Sequence, residues 1–245
     1  MKICVIIPVY NSKNLIIDVI KSVFKYIEEL IVVNDGSTDG TLDKLLEFQK
    51  FEKFELISYV KNHGKGYALK QGFRKALELG FTHAITLDAD GQHLASDIPV
   101  MVQKSESSPE AIIVGARKFD NPNMPEGSRF ANKFSNFWFM VQTGRRLPDT
   151  QTGFRVYPLQ KIGRMRFITN RYETELEILV RAAWRNIPIV SQAIDVYYPP
   201  ISERVSHFNG GKDFFRISVL NTVLCFIAVI YGYPSIFFRK LLNRR

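Results

Sequence analysis

His83-Ala84-Ile85-Thr86-Leu87-Asp88-Ala89-Asp90-Gly91-Gln92-His93 decides how the chain is read: an apolar run ends in two carboxylates separated by one residue. Residues 83–88 predict a buried strand, and residues 66–79 before it carry apolar side chains at helical spacing. The alternation continues towards the N-terminus, with strands over 2–8, 29–34 and 54–60 and a helix over 41–50. Leu15, Ile16, Val19, Ile20, Val23, Phe24 and Ile27 add a first amphipathic helix. Strands that alternate with helices predict an α/β domain on a mostly parallel central sheet. Such sheets bind ligands beyond the carboxyl ends of their strands. Three of those ends are polar: Tyr10-Asn11, Asp35-Gly36-Ser37-Thr38-Asp39, and Asp88-Ala89-Asp90.

Downstream, 111–115 predicts another strand. Pro122, Pro125 and Gly127 mark a loop before the helix-like segment 130–141. A second helix-like segment, 173–184, precedes an edge strand over 187–196. The tail then holds 22 uncharged residues, 217–238, about 33 Å if helical and long enough to cross a bilayer core. Asn221, Thr222 and the Gly232-Tyr233-Pro234 break equally suit two helices lying in the interface, with Tyr231, Tyr233, Phe237 and Phe238 near headgroup depth. A buried core helix or an oligomer interface is the third reading.

At 245 residues, 46% hydrophobic and 23% charged, the chain can bury a full core, with residues 1–205 as one domain and 206–245 as a basic, apolar, membrane-associating tail. The first ten residues do not form a signal peptide, so the domain is expected on the cytoplasmic face of a membrane. Cys4 and Cys225 lack metal-ligand spacing and predict no disulfide. The net charge is +9, and residues 202–245 hold seven Lys/Arg against two acids. Those cations bracket an apolar stretch, which suits anionic headgroups and not nucleic acid.

Two carboxylates at a strand end can converge on one hard cation, with Gln92 adding a neutral oxygen. A Mg²⁺ or Mn²⁺ ion held by Asp88, Asp90 and Gln92 would stabilise a departing nucleoside diphosphate. An exposed turn can carry the same triplet as a cap. His93 is either a further ligand or a loop residue. Asp35 can accept hydrogen bonds from a base or a ribose, and residues 37–39 can start the following helix. Gly64-Lys65-Gly66 lacks the spacing of a P-loop, and no Gly-x-Gly-x-x-Gly follows the first strand, which excludes P-loop NTPases and dinucleotide-dependent dehydrogenases. Pro8-Val9-Tyr10-Asn11 is likewise not the Gly-rich loop of a nucleotidyltransferase.

Pro8-Val9-Tyr10-Asn11, residues 33–41, Asn62-His63-Gly64-Lys65-Gly66 and residues 88–93 occur in the order seen in family-2 glycosyltransferases. Together they resemble the dolichyl- and polyprenyl-phosphate sugar synthase branch over roughly residues 2–205. Gly115-Ala116-Arg117 and Asp149-Thr150-Gln151-Thr152-Gly153-Phe154-Arg155 are similar to that branch too. The resemblance implies a GT-A fold, inversion at the anomeric carbon, a UDP- or GDP-sugar donor and a divalent metal. It carries Pro8, Tyr10, Asn11, Asp35, Lys65 and Asp88 over to the donor pocket. Where many lipid-phosphate synthases have Gly-Glu-Ser-Lys, this chain has Arg204-Val205-Ser206-His207-Phe208, and His207 either contacts the diphosphate or packs in a loop.

A lipid phosphate acceptor needs cations, and the forked Arg guanidinium suits phosphate oxygens. Arg117, Arg129 and Arg155 are the candidates, although Arg155 could instead brace its loop through Asp149. A phosphate nucleophile is already ionised and needs no base, whereas an alcohol needs a carboxylate. Glu173 and Glu175 are the candidates, or they are simply the first turn of a helix. The expected catalytic set is therefore Asp90, Glu175 and Arg117. The expected function is transfer of a sugar to a membrane-held lipid acceptor, polyprenyl phosphate first and a glycolipid or polysaccharide hydroxyl second, in the making of a cell-envelope glycan. A membrane protein partner is compatible with this reading. A non-catalytic sugar-nucleotide-binding membrane subunit is the reading from another class.

Overall fold

The computed structural model describes residues 1–118, 124, 126–198 and 210–242. Seven strands form one sheet: β1 (Ile3–Val9), β2 (Leu30–Asp35), β3 (Glu55–Tyr59), β4 (His83–Thr86), β5 (Ile112–Arg117), β6 (Arg155–Pro158) and β7 (Ile189–Ile194), in the order β3-β2-β1-β4-β6-β5-β7. β1 pairs in parallel with β2 and β4, β2 with β3, and β5 with β7. β6 runs against both of its neighbours. The helices are α1 (Ile16–Phe24), α2 (Thr41–Phe48), α3 (Lys65–Glu78), α4 (Ile98–Glu106), α5 (Glu126–Thr143), α6 (Leu159–Ile162), α7 (Glu173–Trp184), α8 (Gly210–Ile227) and α9 (Tyr233–Leu242).

β1 shows why the sheet is covered on both faces. Successive side chains of a strand point to opposite sides. Cys4 and Ile6 pack with α3 and α7 through Leu69, Phe73 and Leu179. Val5, Ile7 and Val9 pack on the other face with Ile16 and Ile20 of α1 and Met101 of α4. All of these are buried, each worth about 1.5–3 kcal/mol when fully taken from water. The two-sided burial fixes the register of the central strands, and with it the position of the residues that follow them.

Three expectations need correction. Strand β6 was not anticipated, because it is four residues long and begins with an arginine. Gly127, expected in a loop, lies inside α5. The expected break at Gly232-Tyr233-Pro234 is not a break: a π-helical turn over Ala228–Gly232 joins α8 to α9 in one continuous helix. The wider turn accommodates a proline that cannot donate to the helical ladder.

This long helix packs on the domain. Leu220, Leu224 and Ala228 belong to the same core as α3 and α7. Phe134 of α5 meets Phe214 with 5.6 Å between ring centroids, and Gln142 Nε2 donates to Asn221 Oδ1 at 2.9 Å. Nearer the C-terminus, Tyr233 donates its hydroxyl to Val141 O, and Ser235 Oγ donates to Trp184 O at 3.1 Å. The expected boundary between residues 205 and 206, and the His207 reading, lie outside the described residues.

Candidate active site

A cleft of about 970 Å³ opens at the carboxyl ends of the strands. One end is lined by Pro8, Tyr10 and Asp35, the middle by Lys65, Asp88 and Asp90, and the far end by Ser128, Ala131 and Ser135 of α5 with Arg216 and Ile217 of α8. β1, β2 and β4 deliver the first two groups apart from Lys65, which starts α3, because neighbouring parallel strands end in register, with Val9 beside Asn34 and Ile6 beside Thr86.

In the middle of the cleft one lysine joins two acids. Lys65 Nζ lies 2.7 Å from Asp88 Oδ1 and 2.8 Å from Glu175 Oε2, linking the start of α3 to the end of β4 and the first turn of α7. The two carboxylates hold the lysine above its ordinary pKa even though burial alone would lower it. Burial alone would raise Asp88, but Lys65 first and His93 after it bring it below the usual value. Asp90 makes no ion pair among the described residues, and burial followed by the charge on Asp88 pushes it upward, outweighing the opposing charges of His93 and Lys65. Gly153 approaches this group so closely that a Cβ there would sit 2.4 Å from Asp88 Oδ2 and 2.8 Å from Lys65 Nζ.

Two carboxylates and the Gln92 amide line the cleft together, a donor set that suits a hard divalent cation whose other ligands come from a diphosphate. Among the described residues no three His, Cys, Asp or Glu side chains make a ready metal cage. His93 does not complete one: its Nδ1 stands 3.9 Å from Asp88 Oδ2, its Nε2 faces Thr152 Oγ1 at 3.3 Å, and its ring packs near Phe154.

Asp35 lines the cleft, but its carboxylate also folds the neighbouring turn. It accepts from His63 N and Gly64 N, both at 2.8 Å, and from Asn62 Nδ2 at 3.0 Å. Burial raises its pKa, and the two backbone donors partly offset that. Asn11 does not line the cleft. It sits at φ +49 with its Oδ1 accepting from Thr38 N at 2.8 Å and its N donating to Ser37 Oγ, so it ties the end of β1 to the 36–39 loop.

The arginines divide differently from expectation. Arg117 lines the cleft, and its guanidinium makes a two-pronged contact with fully buried Asp149, Nε to Oδ2 at 2.6 Å and Nη2 to Oδ1 at 3.0 Å. Arg155 does not reach the cleft and cannot meet an acceptor. It is fully buried and donates to the carbonyls of Thr150, Thr152 and Glu175 at 2.7–2.9 Å. It does brace its loop, but through carbonyls, while Asp149 belongs to Arg117. Arg129 is not a lining residue either: Ser128, Ala131 and Ser135 share one face of α5, and Arg129 is turned off it.

Glu173 and Glu175 both line the cleft and are nearly buried; among the described residues Glu173 Oε2 and Glu175 Oε1 have no hydrogen-bond partner. Sequence reasoning missed three contributors: Gly153, the Asp149 partner of Arg117, and Glu177. Fully buried Glu177 accepts from Ile168 N, Thr169 N and Thr169 Oγ1 and so fixes the loop before α7. Its helical spacing from Glu173 was visible, but the backbone it binds was not.

A sheet of this order, with its cleft at the strand ends and a carboxylate pair on the floor, defines a GT-A-type fold. The chain belongs to glycosyl transferase family 2, whose model matches residues 4–167, and it is a glycosyltransferase. Its relatives include a UDP-N-acetylglucosamine–dolichyl-phosphate N-acetylglucosaminyltransferase of Methanococcus voltae, 30% identical over 89% of this chain and 95% of that protein. A dolichyl-phosphate beta-glucosyltransferase of Saccharomyces cerevisiae is 27% identical over 76% of this chain and 64% of that one. Among solved structures, glucosyl-3-phosphoglycerate synthase of Mycobacterium tuberculosis, crystallised with Mn²⁺, UDP-glucose and phosphoglyceric acid, superposes with a TM-score of 0.67 at 16% identity over 93% of this chain and 79% of that one. That likeness is one of fold.

Proposed function

We propose that the chain transfers a sugar, with inversion, from a UDP- or GDP-sugar to polyprenyl phosphate at the cytoplasmic face of a membrane. One observation carries this reading: a single cleft runs from the ends of β1 and β2 to the base of an apolar helix. Pro8, Tyr10 and Asp35 line the donor's nucleoside end. Asp88, Asp90 and Gln92 are the residues to hold Mg²⁺ or Mn²⁺, which when bound offsets charge on the leaving diphosphate. Lys65 keeps Asp88 ionised and orients both Asp88 and Glu175. Arg117, fixed by Asp149, is the lining cation assigned to the acceptor phosphate. A phosphate oxygen attacks without a base, which suits a Glu175 already engaged by Lys65. The unpartnered oxygens of Glu173 and Glu175 favour, as second reading, a hydroxyl acceptor deprotonated by one of them.

Membrane contact falls to the outer face of the long helix. Phe215, Val219, Phe226, Ile230, Phe237 and Leu241 recur at helical spacing and are exposed, Ile230 to 79%. The inner face is held to α5 and α7 from Phe214 to Ser235, which supports a helix that lies along the bilayer surface over one that crosses it. In a Cys225→Ala background, Gly211→Cys and Arg239→Cys should both react with an impermeant thiol reagent from the same side of a liposome. Labelling from opposite sides would mean a spanning helix.

The activity test is release of UDP or GDP from a sugar-nucleotide panel with Mn²⁺, with and without polyprenyl phosphate. Stimulation by the lipid, lost in Asp88→Asn and Asp90→Asn, is the expected result. Metal-dependent release indifferent to the lipid moves the acceptor to a hydroxyl. Nucleotide binding without any release makes the chain a binding subunit.

A further inference from the structure

The cleft holds more acids than cations. Asp35, Asp88, Asp90, Glu173, Glu175 and Asp213 line it, against Lys65, Arg117, Arg171 and Arg216. Both proposed substrates bring further negative charge on their phosphates. Three of the four cations already have a carboxylate: Lys65 has Asp88 and Glu175, Arg117 has Asp149, and Arg216 has Asp213 at 3.2 Å. Among the described residues Arg171 has neither an ion pair nor a side-chain hydrogen bond, although Glu173 is two residues away in the same cleft.

Its stem is nevertheless firmly placed. Gly64 sits at φ +102, and a Cβ there would come within 2.5 Å of Arg171 Cγ, so the arginine's stem packs directly on the turn that Asp35 organises. The loop leading to it is fixed from both sides. Glu177 holds Ile168 and Thr169, Lys70 Nζ donates to Thr169 O at 2.9 Å, and Tyr67 N donates to Asn170 O at 2.8 Å. A half-buried arginine with an anchored stem and an unengaged guanidinium, in a cleft with surplus negative charge, is organised for an anion that arrives from outside.

We infer that Arg171 binds a substrate phosphate in this cleft: the diphosphate of the sugar nucleotide or the phosphate of the acceptor. The inference rests on the proposed function for the identity of those substrates, but not for the presence of an anion site. Arg171→Met keeps the Cγ that packs on Gly64 and removes the charge and the fork; Arg171→Gln is a polar second variant that keeps the same Cγ. Two measurements separate the sources. Calorimetric titration of wild type and variant with UDP, GDP and the corresponding nucleosides reads the donor side without any turnover. The KM for polyprenyl phosphate reads the acceptor side.

A charge-assisted contact predicts weakening on the order of tenfold to a hundredfold in one of the two. Weaker nucleoside diphosphate binding with unchanged nucleoside binding assigns the donor. A raised lipid-phosphate KM with unchanged diphosphate binding assigns the acceptor. If both stay within twofold of wild type in a variant of unchanged melting temperature, the proposal is wrong. Should wild type fail to use polyprenyl phosphate at all, the functional reading falls while the diphosphate titration still decides the role of Arg171.

Discussion

Replacing Gly153 by alanine adds one methyl group to the loop above the cleft floor. That methyl would stand 2.4 Å from Asp88 Oδ2, 2.8 Å from Lys65 Nζ and 2.9 Å from Asp88 Cγ, where ordinary contact begins near 3.4 Å. Neither neighbour can yield alone, because the ion pair between them is 2.7 Å long and Lys65 is also held by Glu175. The carboxylate must therefore move by about 1 Å, and a displacement of that size at a reacting centre costs about a hundredfold in rate, or about 2.7 kcal/mol. The backbone at residue 153 is outside the left-handed region, so alanine introduces no φ strain there. The expected outcome is a Gly153→Ala enzyme with kcat/KM down about a hundredfold and a melting temperature within a few degrees of wild type. Initial rates of nucleoside diphosphate release and a thermal scan check it. Activity within threefold of wild type would refute the view that Asp88 must keep this position.

Other changes have separable signatures. Arg155→Met should destabilise the protein by several kcal/mol in urea unfolding, because three buried carbonyls lose their donor at about 1–3 kcal/mol each. Lys65→Met leaves Asp88 and Glu175 without their shared cation; turnover should vanish, with a stability loss of up to about 3 kcal/mol by denaturant titration. Asp39 accepts from Thr41 N, Thr41 Oγ1 and Lys13 N, which together lower its pKa although burial acts the other way. A depressed carboxylate contributes stability above its unfolded value of 3.8 and loses it as the pH falls through the folded value. Asp39→Ala should therefore cost about 1 kcal/mol at pH 7 and progressively less below pH 3.8, measured by thermal unfolding across that range.

Most of the sheet was legible because burial on two faces leaves continuous apolar runs, as in β1 and β2, and because α7 begins and ends where its pattern does. Strand β6 was not, since Arg155 reads as a surface residue until the carbonyls of Thr150, Thr152 and Glu175 are seen around it. The carboxylate pair at the end of β4 was legible from its position after an apolar strand. Lys65 and Glu175 were named as site residues, but their joining at Asp88, and the close approach of Gly153, were not legible: the three come from distant segments, and no local spacing relates them. The same limit misplaced Asp149, whose partner Arg117 lies 32 residues earlier. In the tail, Gly232 and Pro234 signalled a stop by composition, and a π turn is an outcome that composition does not encode.

On the membrane reading, the exposed ridge of the C-terminal helix also sets the dimensionality in which the enzyme works. Six large apolar side chains in contact with water, each worth about 1.5–3 kcal/mol when fully buried, amount to a penalty on the order of ten kcal/mol for the detached protein. On the membrane reading, the free form is then vanishingly rare. The enzyme and a lipid-borne acceptor would meet by lateral diffusion within one sheet of lipid, while the nucleotide sugar alone would come from solution.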